Sequence, residues 1–283
     1  MSVEPMPVPG SHRAEPELPE PERRPLSWTQ ISQYADCGRA YELKYRDAVP
    51  QMPKGALIGG GAIHTAIEAA YREGWWHEEI TPASNLWIFY LEEFTRRCED
   101  AEGGPEAIVW GGRKDAAGVP GEGFEWWTGQ PAASMLIRAQ EVVHADEIAG
   151  VQQYRDDGIE VNVRAVTEAG EATNAYLDRL LISGDGELIV DDWKTGKVNG
   201  AKELQLALYA WSVEQTTGIA VGQARFIYLR AAKLEARIVP IDLPRFLPLV
   251  EPFAAQTTAG IEAGARHPWR MPTSRLATTR SAW

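Results

Sequence analysis

The sequence predicts a mixed α/β fold in which helices flank a central mixed β-sheet. Helical periodicity dominates the first half of the chain, and a series of extended, apolar segments begins near residue 159. One further helical stretch interrupts these segments, which is typical of a mixed sheet covered by helices. The chain has 283 residues, of which 44% are hydrophobic, so it is long enough to bury such a sheet within one large domain.

The N-terminal half is predicted to be a tail followed by helices. Residues 1–25 are rich in Pro and Glu without periodicity, which predicts a disordered tail before a single domain over 26–283. Ser27 is suited to cap a short helix, and a second helical stretch ends near Asp47. The segment GGGAIHTAIEAAYREGWW begins with glycines and becomes helical, with an apolar stripe at Ile63, Ile67, Ala70 and Tyr71.

Two more helices are expected over 84–98 and 131–147, on either side of a different kind of segment. The stretch near 99–130 is rich in Gly, Glu and Asp, which predicts a surface loop insertion.

The second half carries the strand signals. IEVNVRAV, TNAYLDRLLIS and ELIVDDWK are predicted strands, and GDGE is the turn between the last two. KELQLALYAWSVEQTTG is predicted to be a helix that ends at Gly218, a residue suited to a helix C-cap. QARFIYLRA and EARIVPI complete the set as two further strands.

Charge, cysteine content and hydropathy limit the classes of protein that fit. The net charge of −12 argues against tight coating of DNA but not against a nuclease, because acids of the tail and of a metal site contribute to it. Two cysteines, Cys37 and Cys98, indicate a reducing cytoplasm and no disulfide framework. No run of 18 apolar residues predicts a membrane span.

Two acids and a lysine at predicted strand ends form the first candidate site. Asp178 in YLDRLL and Asp192 in VDDWK lie on adjacent strands, so their carboxylates are expected to meet at one face of the sheet. Such oxygen ligands suit Mg²⁺ or Mn²⁺. Lys194, two residues beyond Asp192, points to the same side and can orient water or stabilise phosphate charge. Taken singly, Asp178 and Lys194 are better explained as members of a surface Asp–Lys pair in the hairpin.

Three other polar residues have weaker signals. Gln205 and Tyr209 are four residues apart and therefore share one helix face, where they could bind a phosphodiester or belong to the surface and core, respectively. His64 follows the glycine run, and its imidazole can complete a carboxylate metal site or serve a structural role.

Together these segments resemble a known family of nucleases. The motifs that carry the resemblance, in chain order, are Leu26-Ser27-x-x-Gln30-Ile31-x-x-Tyr34-x-x-Cys37-x-Arg39-x-Tyr41, Gly60-x-x-x-His64, Leu177-Asp178-Arg179, Ile189-Val190-Asp191-Asp192-Trp193-Lys194-Thr195-Gly196 and Gln205-Leu206-x-x-Tyr209. The series runs from residue 26 to about 230 and is similar to the PD-(D/E)XK nucleases, specifically the RecB-type exonuclease branch that includes CRISPR-associated members. The implied fold is a restriction-endonuclease-like core with a helical N-terminal part.

The resemblance implies a role for each matching position. The implied metal ligands are His64, Asp178, Asp192 and the backbone carbonyl of Trp193. Lys194 would position the hydrolytic water, and Gln205 with Tyr209 would shape the site or touch DNA. The implied cofactor is Mg²⁺ or Mn²⁺.

Some positions depart from the pattern or lie outside it. Asp191 should point to the opposite side of its strand from Asp192, so it is left out of the site. Glu160 is a weaker candidate for the additional acid that some members place earlier in the sheet. Many relatives bind a [4Fe–4S] cluster through one N-terminal and three C-terminal cysteines. Here only Cys37 matches, so no cluster is expected and Cys37 is predicted to be a small buried residue.

The sequence therefore predicts a metal-dependent DNA nuclease, and more narrowly an exonuclease acting on DNA ends or single strands. Recombination, repair or phage DNA processing would be its setting, with a helicase or recombination partner supplied by another chain. Two alternatives stay open: a catalytically silent nuclease-fold subunit that binds DNA in a larger complex, and a carboxylate-metal hydrolase of small phosphoesters.

Overall fold

The computed structural model of the protein describes residues 25–114, 120–155, 158–196, 203–230 and 236–264. The predicted disordered tail lies almost wholly outside these residues. The last part of the predicted domain, 265–283, also lies outside them, as does the start of the segment EARIVPI.

The described residues contain one large mixed sheet and a small separate hairpin. The strands are β1 (Leu26–Ser27), β2 (Gly111–Lys114), β3 (Pro120–Glu122), β4 (Gln152–Gln153), β5 (Ile159–Val166), β6 (Ala172–Ile182), β7 (Leu188–Lys194), β8 (Val221–Tyr228) and β9 (Arg237–Pro240). β2 and β3 form the hairpin, and the other seven form the sheet, in which β1, β6, β7, β8 and β9 follow one another and β4 and β5 also pair with β6.

Helices surround this sheet. They are α1 (Trp28–Asp36), α2 (Gly38–Tyr41), α3 (Gly55–Glu73), α4 (Asn85–Glu99), α5 (Phe124–Trp127), α6 (Gln130–Ile148), α7 (Glu203–Thr217), α8 (Leu243–Phe246) and α9 (Val250–Glu262). A capping box starts α1. The Ser27 hydroxyl accepts a hydrogen bond from the backbone N–H of Gln30, and the side-chain carbonyl of Gln30 accepts one from the backbone N–H of Ser27. Gly218 follows α7 with a φ of 71°, a conformation that favours glycine.

The expected fold class is confirmed: a central mixed sheet lies between helices. The hairpin β6–β7 is antiparallel, whereas β7 and β8 run parallel and are connected through α7. The carboxyl ends of β7 and β8 therefore lie at the same edge of the sheet. Lys194 is opposite Tyr228 at that edge, so side chains at the end of β7 are available to a shared cleft.

Two apolar layers cover the two faces of the sheet. On one face, α7 packs onto strand residues that include Leu188 and Val190. On the other face, α3, α4 and α6 form a helical layer that also buries Trp193 and Ile227. Residues 188 and 190 thus face one layer and residue 193 faces the other, which is the alternation expected of a strand.

Two expectations about local structure need correction. The stretch 99–130 is not simply a surface loop, because its described part contains a turn of helix, the β2–β3 hairpin and α5, and Trp127 at its end is only 2% exposed. Cys37 is exposed rather than buried, since it occupies the extended break between α1 and α2. In the described part of the chain, no helix combines the length and apolar character needed to cross a bilayer.

Candidate active site

The first part of the candidate site is a contact between β6, β7 and α3. The Oδ2 atom of Asp178 accepts a hydrogen bond of 2.6 Å from the backbone N–H of Trp193, which ties the β6 side chain to the β7 main chain. The other carboxylate oxygen, Oδ1, lies 3.0 Å from Nδ1 of His64 on α3. Asp178 therefore has one oxygen fixed by the sheet and the other directed toward the helix.

Glycines allow α3 to lie this close to the sheet. A Cβ atom on Gly60 would stand 2.7 Å from Oγ1 of Thr195, just beyond the end of β7. A Cβ on Gly59 would overlap the indole ring of Trp127. Three consecutive glycines inside a helix cost stability relative to alanine. Here two of them provide the close approach that brings His64 onto Asp178.

The second part of the site connects β7 with α7. The Nζ atom of Lys194 forms an ion pair with Oδ2 of Asp192 and lies 3.2 Å from Oε1 of Gln205. The Gln205 amide nitrogen donates to Oδ1 of Asp192 and to the Tyr209 hydroxyl, both at 2.9 Å. Gln205 thus fixes the carboxylate and the amine relative to each other, and the buried Tyr209 acts on the site through Gln205.

Asp191 lies on the opposite face of β7 in a buried cluster of charges. It forms an ion pair with Arg179, and Arg225 donates to both of its carboxylate oxygens at 2.7 Å. Asp146 on α6 completes the cluster, at 2.8 Å from Arg179. Arg179 also stacks over the indole ring of Trp193, with 4.6 Å between the guanidinium carbon and the ring centroid. Asp191 therefore stabilises the sheet next to the site without facing the cleft.

Glu160 on β5 joins the site, although it was only a weak candidate in the sequence. One ligand atom each from His64, Glu160 and Asp178 lies within 4.8 Å of the other two. The backbone of Glu160 has a φ of 52°, a left-handed conformation that is uncommon for residues other than glycine and that is found often at functional sites. The position could have been recognised from its place on the strand adjacent to Asp178.

Loss of solvation and neighbouring charges shift the pKa values of this site. Glu160 is exposed as a whole, but partial shielding of its carboxyl group from water, followed by the charge of Asp178, raises its pKa to about 7. Burial likewise raises the pKa of Asp192 to about 6, and Lys194 only partly offsets it. For His64, burial lowers the pKa, but the charge and hydrogen bond of Asp178 outweigh this effect and raise it to about 9.

These residues fit a divalent cation. The pKa values of Glu160 and Asp192 are raised mainly by loss of solvation and then by the charge of Asp178, and a bound cation would favour the ionised form of both carboxyl groups. The donor set is dominated by carboxylate oxygens, which Mg²⁺ and Mn²⁺ prefer. His64, Asp178 and Glu160 already converge, whereas Asp192 is held one step away by Lys194 and Gln205.

The structure brings the predicted residues into two adjoining groups. His64 and Asp178 form one group with the amide of Trp193, and Asp192, Lys194, Gln205 and Tyr209 form the other. A ligand role for the Trp193 carbonyl stays a prediction. Arg97 at the rim of the cleft had no recognisable sequence signal; its guanidinium lies 3.0 Å from the Thr65 hydroxyl and lines the same groove as His64.

Comparisons with known proteins identify the family of this chain. A family model described as the PD-(D/E)XK nuclease superfamily matches residues 25–271. Gene 69 protein of Mycobacterium phage D29 is 28% identical over 239 residues, covering 78% of this chain and 81% of the phage protein. A crystal structure from Eubacterium rectale, of a protein proposed to be an exonuclease, has 13% identity and a TM-score of 0.45 and covers 91% of this chain and 90% of that one. Because the family model spans most of the sequence, including α3 and both strand ends, this chain belongs to the PD-(D/E)XK nuclease superfamily.

Proposed function

We propose that this chain is a Mg²⁺- or Mn²⁺-dependent deoxyribonuclease and, within that class, an exonuclease acting on DNA ends or single strands. The observation that carries the proposal is the placement of Asp178, His64 and Glu160 beside the Asp192–Lys194 pair at one end of the sheet. A metal site can activate water for attack on a phosphodiester, and an adjacent lysine can stabilise charge on a phosphate oxygen. The motif series supports the RecB-type branch of the superfamily.

The cation would be held by the acids of the cleft. We assign Asp178, Asp192 and Glu160 as oxygen ligands, with His64 offering a ring nitrogen and Trp193 its backbone carbonyl. When bound, a divalent cation supplies Lewis acidity toward a phosphoryl oxygen and lowers the pKa of water. The hydrogen bond from the Trp193 amide holds one oxygen of Asp178 in place, which leaves the orientation of the carboxylate fixed before any ligand arrives.

Lys194 would orient the attacking water. Its ammonium group has three N–H donors, of which Asp192 and Gln205 are placed to accept two. We assign the remaining donor to the water that attacks the phosphorus. Gln205 is then a positioning residue, because it holds both Asp192 and Lys194, and Tyr209 supports Gln205 from within the core.

The shape of the cleft favours a polymer as substrate. The groove measures about 440 Å³ and is lined by α3 residues that include Gly60 and Gly61, with Arg97 and Thr195 at its edges. The two glycines let Thr195 and Arg97 pack directly against α3 at the wall of this groove. Arg97 pairs with Glu93 through its Nε atom, and we assign the rest of its guanidinium to a neighbouring phosphate at the rim.

The biological setting follows from the same proposal. The similarity to a protein of Mycobacterium phage D29 supports phage DNA processing, recombination or repair as the process. A helicase or recombination protein would then be a separate partner chain. Both cysteines are free thiols, which fits a reducing cytoplasm.

The test is digestion of end-labelled DNA with a matched pair of variants. Linear single-stranded, linear double-stranded and closed circular DNA are each incubated with Mg²⁺, Mn²⁺ or EDTA. Asp192→Asn removes one proposed metal ligand, and Asp185→Asn makes the same chemical change in the exposed β6–β7 turn. We expect metal-dependent loss of linear DNA with the wild type and with Asp185→Asn, and none with Asp192→Asn.

Three results would change the proposal. Full metal-dependent activity in Asp192→Asn would remove the assigned site. Cleavage of the closed circle at the same rate as linear DNA would establish an endonuclease. Saturable DNA binding without cleavage in either metal would support the silent-subunit alternative.

A further inference from the structure

We propose that His77, His144 and Glu147 form a second metal site, for Zn²⁺ or a similar borderline cation, on the outer side of the helical layer. One ligand atom from each of the three residues lies within 4.8 Å of the other two. His77 ends the turn Trp75–His77 that follows α3, whereas His144 and Glu147 are three residues apart on α6 and therefore share one face.

Hydrogen bonds hold the turn and the helix together at this point. Nε2 of His144 lies 2.7 Å from the carbonyl oxygen of Trp76, the residue before His77. The Gln140 amide donates to the same carbonyl at 2.6 Å and to the carbonyl of Glu78 at 2.7 Å. The main chain on both sides of His77 is thus fixed to α6.

The same contacts determine the tautomer of His144. A carbonyl oxygen can only accept, so Nε2 of His144 must carry the proton, and the lone pair of the neutral ring is on Nδ1. A histidine that donates one ring N–H to a backbone carbonyl and offers the other nitrogen is the usual arrangement around a bound metal. The Trp76 carbonyl therefore orients the His144 ring in the way that metal-binding histidines are commonly oriented.

The two imidazole rings lie parallel. Their centroids are 5.5 Å apart and their planes differ by 6°. Two ligand atoms of one tetrahedral zinc are about 3.4 Å apart, given Zn–N bonds of about 2.0–2.1 Å. The ligand atoms here lie within 4.8 Å of one another, and rotation of the exposed side chains of His77 and Glu147 can bring them to the spacing that zinc requires.

The donor set differs in chemistry from that of the active site. Two imidazole nitrogens and one carboxylate suit Zn²⁺, with water as the fourth ligand, whereas the cleft is dominated by carboxylates that suit Mg²⁺ or Mn²⁺. The two sites should therefore select different cations from a mixture.

The site would stabilise the fold rather than take part in hydrolysis. The turn Trp75–His77 directly follows α3, which carries His64, and α6 also carries Asp146 of the buried charge cluster. A cation shared by the turn and α6 would link these two helices at the end of α3. Its expected effect is therefore greater thermal stability.

The test uses the full-length chain without a histidine tag, freed of metal with EDTA and dialysed. Thermal unfolding and equilibrium dialysis with Zn²⁺ are measured for the wild type, His77→Gln, Glu147→Gln and the control His64→Gln, which makes the same change in the active site. At a Zn²⁺ concentration about a hundred times the Kd, we expect Tm to rise by about 5–10 °C in the wild type and in His64→Gln. The rise and one bound zinc should be lost in His77→Gln and in Glu147→Gln.

Two outcomes would overturn the inference. One is an absence of bound zinc in the wild type, and the other is an undiminished rise in Tm in both His77→Gln and Glu147→Gln. Nuclease activity with Mg²⁺ is expected to persist in His77→Gln, so failure of this inference leaves the proposed nuclease function unaffected.

Discussion

The neighbouring acids Asp191 and Asp192 should respond in opposite directions to the same substitution. Asparagine preserves the size of each side chain and removes its charge. Asp191 is fully buried between Arg179 and Arg225, whereas Asp192, also buried, pairs with Lys194 on the other face of β7. We expect Asp191→Asn to destabilise the metal-free protein and Asp192→Asn to leave it as stable as the wild type or more so.

The magnitudes follow from burial and charge. Asp191→Asn leaves two buried guanidinium groups with Asp146 as their remaining carboxylate partner, and loss of one member of a buried ion pair costs about 3–5 kcal/mol. For a domain of this size, that corresponds to a fall in Tm of about 6–20 °C. Burial raises the pKa of Asp192 to about 6, so an ionised Asp192 lowers the stability of the folded protein at neutral pH. Asp192→Asn removes this charge and should raise the free energy of unfolding by about 1–3 kcal/mol.

The assay is urea unfolding of both variants at pH 7.5 in EDTA, followed by circular dichroism, with Asp185→Asn as the control. EDTA matters because a bound cation would favour the ionised form of Asp192 and hide the effect. Equal losses of stability in the two variants would refute the assignment of the two carboxylates to opposite faces. A stable Asp191→Asn would show that the buried charge cluster does not hold the sheet.

Three further predictions concern the cleft and the N-terminal helix. Gly60→Ala should lower kcat/KM at least about tenfold, because the added Cβ would meet the Thr195 side chain, and the double variant Gly60→Ala/Thr195→Ala should recover activity. If Gly60→Ala is as active as the wild type, the close approach of α3 to Thr195 does not matter for the site. Mg²⁺ affinity, measured by calorimetry, should rise from pH 6 to 8 as Glu160 and Asp192 lose protons and continue to rise toward pH 9 as His64 does, and a flat profile from pH 6 to 8 would exclude the two acids as ligands. Ser27→Ala should lower the free energy of unfolding, measured in urea, by about 1 kcal/mol because it removes the capping box of α1. An unchanged urea midpoint would show that the cap is dispensable.

The sequence predicted the strand end well because local rules determine it. Asp178 and Asp192 lie on consecutive strands joined by a short turn, so antiparallel pairing alone brings their strands together. Alternation along β7 separates Asp191 from Asp192, and the two-residue spacing puts Lys194 on the same side as Asp192. These relations need no knowledge of distant parts of the chain.

Other features depend on contacts between distant segments and could not be predicted in this way. The glycines at the start of the predicted third helix have poor helix propensity, yet α3 already begins at Gly55. The helix tolerates them because Trp127 and Thr195 pack into the space that their missing side chains leave. Composition made residues 99–130 resemble a loop, but Trp127 packs in the helical layer. In the buried charge cluster, Asp191 pairs with Arg225 on β8 and Arg179 pairs with Asp146 on α6, and both pairs join residues distant in sequence.

The two adjacent acids of β7 show how one strand meets opposite electrostatic requirements. A metal site needs carboxylates whose charge is incompletely neutralised, and the raised pKa values of Glu160 and Asp192 show that condition in the cleft. A buried sheet needs every charge paired, and Asp191 has two arginines on the other face. If Asp191 shared the face of Asp192, its charge would increase the repulsion in the cleft and leave both arginines with Asp146 as their carboxylate partner. Strand alternation therefore lets neighbouring residues hold the fold together and keep a cation-binding cleft ready.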